Sequence, residues 1–382
     1  MTRIEIKPEM LQWASRRSRL DAFALEKKFP RLAQWVSGAA LPTLKQIEHF
    51  AKATHTPFGM LFLNEPPKEV LPIPDFRTMA DQGMREPSPD LLDVIYLCQQ
   101  RQAWYREYKL IRRLDAVDFI GSAQVQNDIQ SIAAQMRKRI GFSHAVIAAE
   151  PKWEDALRRF ISLVDEAGTM VMCSGIVGSN TSRSLDPEEF RGFAFADRDA
   201  PLIFLNGKDS KAAQMFTLAH ELAHLWLGES AVTDATAMQL PNQAVERWCN
   251  QVAAEFLVPL NEVNEFVRST PAGDDLAQRI SRRFKVSSLV GLRRMFDAKL
   301  ISRAEFWERY HAELARIRGL SHGGSGGNFY LSQTARVSRR FAHALIESTL
   351  EGHTLYREAM RMLSVSKIGT FNEYGRSLGF PS

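Results

Sequence analysis

At 382 residues the chain is long enough for two or three domains, and 45% hydrophobic with 24% charged residues is the balance of an ordinary soluble globular protein. No run approaches the roughly 18 to 20 apolar residues of a membrane span, and Met1 to Pro8 holds no apolar signal core. Cys98, Cys173 and Cys249 are too few and too scattered for a disulfide framework. A cytoplasmic protein with reduced thiols and no membrane partner is expected. Net charge is +5, and residues 1–68 hold eleven Lys/Arg against six Asp/Glu, which also gives +5. The basic excess is therefore concentrated at the N-terminus, which permits nucleic-acid contact and equally suits a solvated helical surface.

Residues 8–63 read as a set of short helices. Pro8 suits a first helical position, and Met10, Leu11 and Ala14 make an apolar stripe up to Arg17. A second helix runs from Asp21, a capping residue, to Phe29; after Pro30 a short third spans Arg31 to Val36 and ends at Ser37-Gly38. Pro42-Thr43-Leu44 opens a fourth, with Ile47, Phe50 and Ala51 on one face, and Pro57 starts a fifth short segment through Phe62. Ala24-Leu25, Trp35-x-x-Gly38 and Pro42-Thr43-Leu44 followed by Ile47 and Ala51 resemble the helix-turn-helix domain of phage-repressor-like (Xre) regulators. That resemblance implies DNA contact. Lys27 and Lys28 are placed for phosphate, and Arg31 and Gln34 for base edges. Leu32, Ala33, Trp35 and Val36 in the same helix are apolar, so a module for protein contacts or support fits as well.

Prolines at 66, 67, 72, 74, 87 and 89 predict an extended connector containing Asp75-Phe76-Arg77-Thr78. Helix returns over residues 90–140, where Leu91, Leu92, Val94, Ile95 and Leu97 precede a polar, aromatic segment from Gln99 to Tyr108. A new unit begins near Pro151 with an amphipathic helix from Trp153 to Ala167, closed by Gly168. Three strand candidates follow, Thr169 to Cys173, Phe190 to Ala196 and Pro201 to Asn206. The polar stretch Gly175 to Pro187 is expected to be a loop overhanging a cleft. Phe190 to Ala196 is the expected edge strand, available to pair with an extended peptide.

The next helix carries Phe216-Thr-Leu-Ala-His220-Glu221-Leu-Ala-His224. Residues four apart share a helix face, so His220 and His224 have the spacing of two ligands on one zinc ion, with Glu221 beside them as candidate general base. Asp209 and Ser210 offer capping oxygens before the helix, and Gly228 a left-handed position after it. Two ordinary helical histidines would show the same bare pattern, so a third ligand decides. A second long helix, about Gln243 to Val258, supplies Glu246, with Asn250 one turn on as acceptor for a ligand imidazole's other N–H. Glu255 and Cys249 compete with Glu246 for the third place; Glu255 lies on a different side of the helix.

Phe216 to His224 looks like the zinc helix of the ImmA/IrrE metallo-endopeptidases, and Glu246-x-x-Cys249-Asn250-x-x-Ala253-Ala254-Glu255-Phe256-Leu257-Val258-Pro259 looks like that family's second motif. Leu202 to Asn206 also fits; Cys249 and Val252 stand where the family pattern has alanine and phenylalanine. The resemblance implies an α+β, mostly helical protein: an N-terminal helix-turn-helix bundle, a zincin-like peptidase core of small sheet plus His-Glu-x-x-His helix and glutamate helix, and a C-terminal helical segment. It implies one Zn²⁺ per chain on His220, His224 and Glu246, with Glu221 deprotonating the attacking water. It further implies a regulatory endopeptidase cutting a repressor or antitoxin-like protein. The alternative is a non-proteolytic DNA- or protein-binding regulator, antitoxin-like, with a structural zinc. Tyr310, His311 and Tyr330 are unranked candidates for the oxyanion donor.

Ala277 to Phe296 shows a second helix-turn-helix outline around Val286-Ser287-Ser288, for which ordinary packing is the simpler account. Leu300-Ile301-Ser302 caps a helix to Ile317, and Gly319 to Gly327 reads as a flexible loop. Thr334 to Leu350 and Tyr356 to Leu363 form two further helices. The expected domains are 1–68, 69–149, 150–320 and 321–382.

Overall fold

The structure, a computed structural model, describes residues 3–18, 20–74, 87–233, 244–269, 275–318 and 329–381. Asp75-Phe76-Arg77-Thr78 and Gly319 to Gly327 lie outside the described residues. The chain divides into two compact units, one of Met1–Pro72 and Met79–Ile95, the other of Ile73–Thr78 and Tyr96–Ser382.

In the N-terminal unit the helices are Pro8–Arg17, Ala22–Lys28, Leu32–Val36 and Leu44–Ala53, followed by a 3-10 turn, Phe58–Phe62. Their ends are closed by local chemistry. Asp21 accepts from the Ala24 N–H at 2.6 Å, and Thr43 and Gln46 satisfy each other's backbone in a capping box. The apolar stripes meet around Met10, Leu11, Trp35, Ile47, Phe50 and Leu61. Phe29 stands edge-on to Phe50 with centroids 5.3 Å apart. Lys27, Lys28, Arg31 and Gln34 all face solvent, while Trp35 is buried.

The larger unit is mostly helical around a small sheet. The strands are β1 (Met170–Ser174), β2 (Ile176–Val177), β3 (Asn180–Ser184), β4 (Gly192–Phe195), β5 (Leu202–Asn206) and β6 (Ala231–Thr233). Four of them form one mixed sheet in the order β1-β5-β4-β6. β1 runs parallel to β5, while β4 pairs antiparallel with β5 on one side and β6 on the other. β5 is buried along its whole length, as a central strand covered on both faces must be.

Two sequence expectations are corrected here. Phe190 to Ala196 is not the edge: β4 is internal, and the three-residue β6 takes the edge beside it. The outward-facing Val232 N–H of β6 donates at 3.0 Å to the carbonyl of Pro74. Gly175 to Pro187 is not a plain loop but folds back as the β2–β3 hairpin.

Helices Ile129–Ile140, Trp153–Glu166, Lys211–Leu227 and Ala244–Leu257 pack with the sheet around one large core, which includes Phe160, Ile203, Leu222 and Phe256. Helices Leu276–Phe284 and Ser288–Asp297, the outline noted above, are packed into that same core through Ile280, Phe284, Val290 and Met295. They approach so closely that a Cβ on Gly291 would lie 2.5 Å from the Ala277 carbonyl oxygen.

Thr334 to Leu350 is broken at Ser338, whose φ is 69°, into helices Phe329–Val337 and Arg339–Leu350. Ser338 donates to buried Asp165 at 2.5 Å, and Asp165 also accepts the Arg340 N–H at 3.0 Å. Helices Tyr356–Met362 and Ile368–Ser377 complete the chain, the last unread in the sequence. Buried Arg101 ties this segment down, donating to the carbonyls of Met362 at 3.0 Å and Arg336 at 3.2 Å. No helix is long and apolar enough to cross a membrane among the described residues.

Burial pushes the Cys98 thiol up to about 12, against the opposing field of Arg101, and raises Cys249 well above the ordinary thiol range. Thiolates are the reactive form. Iodoacetamide at pH 8 should therefore leave Cys98 and Cys249 unmodified in the folded protein over a period that labels all three cysteines in urea. Mass mapping of the alkylated residues checks this.

Candidate metal centre

The helix Lys211–Leu227 is buried continuously from Gln214 to Trp226, so its polar side chains must be satisfied by one another or by something bound. Ser210 caps its start, accepting from Ala213 at 3.2 Å, while Asp209 is taken by Arg191 at 2.6 Å. Gly228 ends it with φ 76°. The free carbonyls at that end are met by a preceding loop: Gly121 donates to Leu225 at 3.1 Å and Ala123 to Trp226 at 2.8 Å. Phe119 stacks on Trp226 with centroids 4.0 Å apart. The second helix, Ala244–Leu257, lies against the first and buries Glu246 and Asn250 in the contact.

Across that contact three groups converge. The Nε2 atoms of His220 and His224 are 3.0 Å apart. Glu246 places Oε2 3.3 Å from the His220 nitrogen and Oε1 3.0 Å from that of His224. One ligand atom from each of the three residues lies within 4.8 Å of the others, and all three are buried. His220 Nδ1 donates to the Asn250 side-chain oxygen at 3.0 Å, which leaves Nε2 as the nitrogen facing Glu246.

Glu221 sits beside this cluster, wholly buried. Its Oε1 accepts a hydrogen bond from the Thr233 hydroxyl on β6, and its Oε2 has no hydrogen-bond partner among the described residues. Burial pushes its carboxyl up to about 8, although His220 and the Thr233 hydrogen bond pull the other way. Burial also opposes ionisation of Glu246, but hydrogen bonds and charge from His220 and His224 win and hold it down at about 2. Burial lowers His224, whereas in His220 burial is outweighed by Glu246 and the imidazole is raised.

Of the residues expected from the sequence, His220, Glu221, His224, Glu246 and Asn250 are brought together. The competing ligands are not. Glu255 pairs with buried Arg294 on another side of its helix, and Cys249 is fully buried in the core. Tyr310 and His311 stack among Phe306 and Trp307 on helix Arg303–Arg318, and the Tyr330 side chain lies outside the described residues. Lys27, Lys28, Arg31 and Gln34 belong to the N-terminal unit.

Sequence reasoning missed Thr233 and Gly192. A Cβ on Gly192 would lie 2.6 Å from Thr217, 2.9 Å from the Phe204 carbonyl and 3.1 Å from Glu221 Oε1, so glycine lets the motif helix come down on β4. Val232-Thr233 after Ser230 was the available hint of β6, a β-branched pair too short to read as a strand.

A buried helix pair offering two imidazoles, one carboxylate as a third donor and a separate glutamate has the donor arrangement of a metallopeptidase-type centre. Comparison with known proteins agrees: residues 171–296 match the IrrE N-terminal-like domain of the peptidase M78 family. The radiation response metalloprotease IrrE of Deinococcus radiodurans is 29% identical over 150 residues, 38% of this chain and 44% of that protein. The chain thus spans less than half the length of that relative. Residues 337–377 match a domain of unknown function, DUF8813.

Metal ligands must be deprotonated, so protons compete with zinc. Glu246 raises His220, so its proton persists to higher pH and must be displaced by the metal as pH falls through that raised value. Competition against a chelator at pH 7.5 and 5.5 should show zinc affinity weakening by about tenfold per pH unit for each proton displaced. The two glutamates should separate cleanly. Glu246→Gln is expected to lose the metal, whereas Glu255→Gln keeps it but leaves buried Arg294 with Asp297 alone, at a cost on the order of 1–3 kcal/mol. Metal analysis beside urea unfolding checks both.

Proposed function

We propose that the protein is a regulatory zinc endopeptidase acting on a specific protein, a transcriptional repressor or antitoxin-like regulator. The observation that carries this reading is the buried convergence of His220, His224 and Glu246 beside a glutamate with one carboxylate oxygen unpartnered among the described residues. The donor set fits zinc. Tetrahedral coordination with Zn–N bonds of about 2.0–2.1 Å sets neighbouring donors about 3.3 Å apart, and the separations here are 3.0 to 3.3 Å. Three protein ligands rather than four also leave a coordination position free, which favours a catalytic over a structural ion.

His220, His224 and Glu246 would hold one zinc per chain, and Asn250 keeps His220 in the ligating tautomer. The ion supplies Lewis acidity, lowering the pKa of water from about 15.7 towards about 7. Glu221 takes the proton of the attacking water at Oε2 and returns it to the leaving amine. An extended peptide pairs with the β6 edge, its carbonyl replacing that of Pro74 on the Val232 N–H. The exposed Lys27, Lys28, Arg31 and Gln34 suit DNA contact by the N-terminal unit, which would bring the peptidase to a repressor at its operator. Domain limits of 1–68, 69–149, 150–320 and 321–382 and a cytoplasmic location complete the reading.

Proteomes of cells producing wild-type protein and the Glu221→Gln variant distinguish this from a non-proteolytic regulator. Fragments of one regulator should accumulate with wild type only, since loss of the base lowers the rate by roughly 10²–10⁴. The same fragments in both strains would remove the mechanism.

A further inference from the structure

We propose that Thr233 is the positioning residue for Glu221, holding one carboxylate oxygen so that the other is presented to the reacting water. This rests on the peptidase reading above and extends it to a residue on the sheet edge. Thr233 is fully buried at the end of β6. Its hydroxyl donates to Oε1 of Glu221. Gly192 is paired with Thr233 across the β4–β6 ladder, and its missing side chain leaves room for that same oxygen. Oε1 is therefore lodged between paired residues of two adjacent strands. Oε2, without a partner among the described residues, is the one left for chemistry.

A glutamate side chain on a helix has three rotatable bonds, and fixing its head is what turns a nearby carboxylate into an oriented base. The device has a second consequence. Val232, the neighbour of Thr233, turns its N–H to the outer edge, where a backbone carbonyl already sits. One short strand thus holds the base on its inner side and offers pairing on its outer side. A peptide bound at that edge is registered against Glu221 through two consecutive residues.

The test uses full-length zinc-loaded protein and acetohydroxamate, followed by calorimetry. A hydroxamic acid binds zinc as its anion after yielding a proton to a neighbouring base, so its affinity reads the placement of Glu221 without knowledge of the substrate. Thr233→Val keeps the shape and removes the donor; it should weaken binding by about tenfold or more. Thr233→Ser should restore affinity to within about threefold of wild type, and zinc content should stay at one per chain in both. In a Glu221→Gln background Thr233→Val should add no further loss, as residues acting through one another are not additive. Should Thr233→Val fail to fold, Thr233→Ala, smaller and free of clash, carries the same comparison. Wild-type affinity in the valine variant, failure of serine to rescue, or an equal loss in the Glu221→Gln background would overturn the inference while leaving the peptidase reading intact. Wild-type protein that takes up one zinc yet binds no hydroxamate would overturn both.

Discussion

The constraint on which the larger unit depends is the meeting of two imidazoles and a carboxylate in a buried place. Charge buried without balance is costly, and two nitrogen lone pairs 3.0 Å apart repel unless something positive lies between them. The fold answers by fixing every neighbour. The motif helix is covered along its length, its last carbonyls are met by the loop through Gly121 and Ala123, and Asn250 occupies the far nitrogen of His220.

The same burial separates the roles of the two glutamates at the centre. Glu246 turns each oxygen towards an imidazole nitrogen and is held ionised by their charge, the state a ligand needs. Glu221 has a hydroxyl on one oxygen only and is pushed up, the state suited to exchanging a proton near neutral pH. Two identical side chains on adjoining helices are thus driven apart by their surroundings alone.

How much of this could be read from residues alone follows from the range of the interactions. His220, His224 and Glu221 lie within one helical turn, so spacing suffices; Glu246 and Asn250 need only one further helix with the same logic. The capping of the N-terminal helices by Asp21 and Thr43 is equally local. Other features depend on contacts between segments far apart in the chain. Thr233 matters because β6 pairs with β4, and Glu255 is paired instead with Arg294, 39 residues away. The break at Ser338 makes sense only beside Asp165, 173 residues distant, and the misassigned edge strand followed from a neighbour too short to carry a periodic signal.

The carbonyl of Pro74 on Val232 has a bearing on how the molecule behaves towards its own kind. A strand edge able to accept a guest peptide is equally able to accept the edge of another copy, and such edges seed aggregation. Here the donor that would start such pairing is taken by a residue of the same chain, and by one with no N–H of its own. Proline can end a ladder but cannot hand it on. The outward Val232 donor is thereby occupied within the chain, which blunts edge-to-edge pairing between copies.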